Sequence, residues 1–142
     1  GKKYGVSFEH LHTHRYYDEY HHYENGAPAI KSYDGINYAH YIASGNYGTA
    51  LSGLHHGYGL TVKMAASCTV GHSHKFSYFV KQEARPNPIH GLVAGCFKGK
   101  DESWAGQANR EWRSGVVIKR NIRNGNYDLS WISMEALEKD YG

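Results

Sequence analysis

The dipeptide Asn124-Gly125, extended by Asn126, constrains this chain more than any other feature. It stands between two runs of alternating apolar and polar residues, Val116 to Ile122 and Tyr127-Leu129-Trp131. Asn-Gly supplies the positive φ angles that a tight two-residue hairpin needs, so the segment predicts a β-hairpin near the C-terminus. Just beyond it, Ser133 is placed to cap a short final helix, with Glu135 in the first turn and Lys139 near the end.

The rest of the pattern is mixed. Residues 30–44 read as extended, with Asp34-Gly35 as a turn, which suggests a hairpin or a strand ending near His40. Leu51, Leu54, Tyr58, Val62 and Ala65 recur at helical spacing and predict a helix with that stripe inward. Gly53, Gly57 and Gly59 weaken such a helix by roughly 1 kcal/mol each relative to Ala, or allow it close to a sheet. Ser67 to Val70 is a short buried strand, and Ile89 to Phe97, after Pro86 and Pro88, is another. These elements predict an α/β chain, with residues 30–142 as one domain and residues 1–29 as a polar segment rich in His and Tyr. Within that segment, Tyr16, Tyr17, Tyr20 and Tyr23 fit either a surface helix or an arm packed on something larger.

Composition narrows the function classes. The chain has 142 residues, room for one modest core. No apolar run approaches the ~20 residues of a membrane-spanning helix, and no basic-then-apolar leader is visible. Two cysteines, Cys68 and Cys96, make no disulfide scaffold, and a reduced, cytoplasmic setting is the simpler expectation. A chain that begins at Gly1 is expected to be a processed product or a piece of something longer. The formal charge of +3 does not by itself argue for nucleic acid. Eleven histidines make metal binding and acid–base chemistry the classes to test.

The focal point is Gly71-His72-Ser73-His74. A helix, a buried strand and a glycine turn deliver two imidazoles at the carboxyl end of a strand, where ligand sites of open α/β sheets lie. His90, before Gly91, and Lys75, at the start of the following loop, are candidate substrate contacts. Lys81, Arg85, Lys98 and Lys100 could add phosphate contacts, against the ordinary fate of scattered cations on a solvated surface. Trp104, Trp112 and Trp131 are expected to fill or cover the core.

Gly71-His72-Ser73-His74 after a short apolar strand resembles the G-H-x-H motif of the calcineurin-like metallophosphoesterases. His40, some thirty residues upstream at a strand end, occupies a suitable position for that family's lone histidine. Trp112, Gly115-Val116-Val117, Tyr127-Asp128 and Ser133 to Tyr141 extend the resemblance to the C-terminal half of phage- and prophage-type members. The resemblance implies the C-terminal half of a β-sandwich of two mixed sheets with flanking helices. It also implies dinuclear-metal hydrolysis of a phosphate ester, with a nucleotide or nucleic-acid phosphodiester among the substrates. Two divalent transition ions are implied, Mn first, with Zn or Fe as alternatives. His40 and His72 would go to one ion and His74 to the other; the catalytic residue is not identified.

The family's upstream motifs D-x-H, G-D and G-N-H-D do not precede His40. Gly45-Asn46-Tyr47 imitates the last of these with Tyr in place of His and is read as a turn. The missing carboxylates must come from another chain, so a complementing N-terminal half or a homo-oligomer is the expected partner. A phage-encoded chain would work in the host cytoplasm. The alternative is a non-catalytic structural or assembly module that keeps the metal-binding turn as a relic. A nucleic-acid-binding fragment that uses the basic loops is a further option. Separately, Glu9 to His14, following Tyr4 to Phe8, resembles the first strand of amidohydrolases and PHP phosphoesterases, but that barrel needs roughly 200 residues or more. These histidines are therefore expected on a polar arm.

Overall fold

A computed structural model describes residues 8–23 and 25–142. In chain order the elements are a short helix α1 (Phe8–Leu11), β1 (Lys31–Tyr33), β2 (Ile36–Tyr38), β3 (Ala43–Ser44), β4 (Thr49–Ala50) and α2 (His56–Met64). Then come β5 (Cys68–Val70), β6 (Phe76–Lys81), β7 (Ile89–Ala94), β8 (Gly115–Arg123), β9 (Asn126–Ser133) and α3 (Met134–Tyr141). A 3-10 segment lies at Thr13–Arg15, and Ser103–Arg110 carries two short 3-10 turns on either side of a kink at Gly106.

Five strands form a mixed sheet in the order β1-β2-β5-β7-β6. The central pairs β2–β5 and β5–β7 are parallel, while β1 and β6 are antiparallel edges. Strand alternation sends Cys68, Val70 and Val93 to one face, where they meet Leu60 of α2 and Ile42. Thr69, Tyr78 and His90 point to the other face, which the β8–β9 hairpin covers through Lys119, Tyr127 and Asn126. The chain is thus a helix, a mixed sheet and a hairpin in layers, with α3 folded back on the hairpin.

Both predicted turns form. Asn124 and Gly125 have φ angles of 48° and 83°, and Asp34 and Gly35 have 48° and 80°, the paired positive values of a tight hairpin turn. Their tips dock on each other through the Gly125 N–H, which donates to the Asp34 carbonyl at 2.7 Å. Ser133 caps α3, its hydroxyl accepting from the Ala136 N–H at 3.1 Å.

The structure departs from the expectations, or adds to them, at four points. The first concerns α2. Its buried residues are His56, Gly57, Leu60 and Thr61. Of the expected stripe, Leu51 packs on the core, but Leu54, 91% exposed, and Val62, 53% exposed, face out. The reason is that Gly57 sits directly on Gly91 of β7, and that contact sets the rotation of the helix. Second, of the two alternatives for Tyr16 to Tyr23, the helix does not form and the tyrosines are exposed on an arm after the Thr13–Arg15 segment. Third, Phe76–Lys81 is an edge strand that the sequence reading passed over. Fourth, Trp104 is 75% exposed rather than in the core. The supposed strand ahead of His10 is helical from Phe8 onward, and its residues 4–7 lie outside the described residues. Among the described residues no helix is long and apolar enough to cross a membrane.

Candidate metal centre

β2 and β5 are parallel neighbours, with Tyr38 opposite Thr69. Two residues beyond Tyr38 comes His40 and, three beyond Thr69, past Val70 and Gly71, His72. The His40 carbonyl accepts from both the Gly71 and His72 N–H groups, at 3.1 and 3.0 Å. This backbone clasp locks the two turns together and sets the rings against each other. His40 Nε2 and His72 Nδ1 are 2.9 Å apart, and the ring planes stand at 82°. Without an ion the two nitrogens share one proton in a hydrogen bond, donor to acceptor. Partial burial, and then the neighbouring His72 and His74, push the His40 imidazolium down from its ordinary range.

Aromatic rings frame the pair. Tyr41 lies 5.2 Å from His72 and 5.9 Å from His40, and Tyr23 of the arm lies 6.3 Å from His40, centroid to centroid. His56, buried at the start of α2, is held down from its ordinary range by burial first, then by the charges of Lys75 and His72. This fourth imidazole near the turn belongs to the pair His55-His56, which no motif in the sequence singles out. Only its coincidence with a buried helix N-terminus marks it out.

His74 takes a left-handed backbone, φ 57°, and its ring packs edge-on against Trp112 at 4.7 Å. Between the two histidines of the motif, the Ser73 hydroxyl is buried without a hydrogen-bond partner. Lys75 pairs with Glu111 at the surface. His90 is elsewhere: it sits at the opposite end of the parallel ladder, 3% exposed. Its Nε2 faces Asn126 Oδ1 at 2.8 Å and its Nδ1 faces the Tyr78 hydroxyl at 2.6 Å. Both ring nitrogens are satisfied in the neutral tautomer, so His90 joins sheet to hairpin and is not brought to the histidine pair. Three other basic residues of the loops are also engaged, Lys81 and Arg85 with Glu83 and Lys98 with Asn109 and the face of Trp112. Burial pushes the Cys68 thiol up to about 11, which fits a packed core residue and not a nucleophile.

The separation of the two nitrogens can be compared with that of two ligands on one ion. Nitrogens ~2.1 Å from one ion and at right angles to each other are about 3.0 Å apart, close to the observed separation. Among the described residues no group of three or more His, Cys, Asp or Glu side chains is placed to hold an ion. The remaining donors would have to be water, substrate or residues of another chain. No family model, curated protein or solved structure matches this chain.

Proposed function

We propose that this chain contributes the histidine end of a dinuclear-metal site that hydrolyses a phosphate ester, and that carboxylates from a second polypeptide complete it. The observation that carries the reading is the 2.9 Å approach of His40 Nε2 to His72 Nδ1 at the carboxyl ends of adjacent parallel strands. His40 and His72 would hold one ion. His74 would turn from Trp112 to hold the second. Neutral imidazoles at this turn favour Mn, Zn or Fe over Mg or Ca. When bound, the ions supply Lewis-acid clamping of the phosphate and an activated water. The chain's own residues orient that chemistry. The backbone clasp fixes both ring positions, Tyr41 limits access to water, and Lys75 lies next in sequence with a charge for a phosphate oxygen.

Calorimetric titration with Mn2+ tests this. Binding should be measurable for the wild type, tightened by inorganic phosphate, and lost in His40→Ala and His72→Ala. Equal Mn2+ affinity in the wild type and both variants removes the reading.

A second reading has its own observation. The outward face of α2 carries exposed Tyr58 and Val62 beside Phe79 of β6, with exposed Leu54 just ahead of the helix, which suits a non-catalytic assembly module that buries this face against a second copy. Light scattering decides here: a monomer at all concentrations that binds Mn2+ excludes it.

A further inference from the structure

Lys119 of β8 crosses from the hairpin to the sheet and ends among hydroxyl groups. Its Nζ donates to Thr69 Oγ1 at 2.6 Å and to the Tyr38 hydroxyl at 3.1 Å. The rings of Tyr38 and Tyr127 lie 4.3 and 4.8 Å from the same nitrogen. Among the described residues no carboxylate pairs with this ammonium. Burial pushes it down to about 8.

Two of the hydroxyls around it accept from the ammonium. Tyr38 and Thr69 spend a lone pair on the ammonium, which leaves their own hydrogens to donate. Tyr127, 4% exposed, has a buried hydroxyl with no partner. Buried polar groups are nearly always satisfied, so an orphan beside an unneutralised amine needs an explanation. The space for one is present: a cavity of about 320 Å³ is lined by Tyr38, Thr69, Lys119, Val117 and Ile122. One end is polar and donor-rich; the remaining walls are aliphatic.

We propose that this cavity binds a small organic acid, with its carboxylate on Lys119, Thr69 and Tyr38 and its apolar tail against Val117 and Ile122. The anion supplies the missing counter-charge and accepts the free hydroxyl hydrogens. Charge-assisted hydrogen bonds of this kind are about twice as strong as neutral ones. The aliphatic walls favour a tailed carboxylate over a bare inorganic anion. The site is separate from the histidine pair and does not depend on any metal there.

The probe is hexanoate, with acetate and inorganic phosphate as comparators, read by calorimetry and by NMR of 13Cε-labelled lysine. Hexanoate should bind the wild type and raise the titration midpoint of the Lys119 signal. It should bind at least tenfold more weakly to Lys119→Met, a near-isosteric variant, and measurably more weakly to Tyr38→Phe. Acetate and phosphate should bind more weakly than hexanoate. An unmoved Lys119 signal in saturating hexanoate overturns the proposal in the wild-type protein, whatever the variants do. Undiminished binding to a folded Lys119→Met overturns it as well, and equal binding of acetate, phosphate and hexanoate overturns the assignment of the tail to the aliphatic walls.

Discussion

Gly57 of α2 and Gly91 of β7 meet backbone to backbone: a methyl on Gly57 would stand 2.9 Å from the Gly91 carbonyl oxygen, and one on Gly91 would overlap the Gly57 carbonyl. This contact sets how deep α2 sits and which of its faces is buried. Gly91→Ala should therefore destabilise the fold by about 1–3 kcal/mol, the usual cost of overpacking. Gly59→Ala is the control. A methyl there meets only the Leu51 side chain at 3.6 Å and should stabilise by up to about 1 kcal/mol through helix propensity. Urea denaturation of both variants checks the pair, and a stable Gly91→Ala contradicts the packing account.

The two hairpin tips provide a second test. Gly125 has a φ of 83°, and a methyl on it would stand 2.8 Å from the Gly35 carbonyl oxygen. Gly125→Ala should cost at least ~1–2 kcal/mol from backbone strain alone, plus the loss of docking between β1–β2 and β8–β9. Thermal unfolding should show the loss. A midpoint equal to the wild type would mean that the tips are not held together in solution.

Acid should weaken the fold over a defined window. Burial, the first cause in each case, lowers His40, His56 and His90 below their ordinary 6.5. The unfolded chain then binds protons that the folded chain refuses, so stability rises with pH in this interval. The contribution is complete above about pH 6.5 and is lost as pH falls from there through the folded values. Urea midpoints at pH 7.5 and 5.0 should differ in that direction, and His90→Gln should shrink the difference. A flat profile between these two pH values would count against the buried, neutral state of these rings.

Ser133→Ala removes the hydroxyl that accepts from the Ala136 N–H. The expected cost is ~1 kcal/mol, while Ser133→Asp should retain most of the cap. Amide exchange at Ala136 reports directly: protection should fall in the alanine variant and persist in the aspartate one.

Local chemistry was legible in the linear chain, and long-range juxtaposition was not. Asp34-Gly35 and Asn124-Gly125 announce their turns because few other dipeptides tolerate two successive positive φ angles, and Ser133 announces its helix because a cap needs only its own three neighbours. The short strand before Gly71-His72-Ser73-His74 was readable for the same reason. What α2 buries was misread, because apolar periodicity assumes that the greasiest face goes inward. Here the contact of Gly57 with Gly91, 34 positions away, takes precedence. The meeting of His40 with His72 depends on β2 and β5 being parallel neighbours, and the seclusion of Lys119 depends on a hairpin folding over the far face of the same sheet. The residues themselves determined which turns, caps and strand ends exist. Only the tertiary structure decided which of them meet, because that follows from how layers stack and not from any short window of sequence.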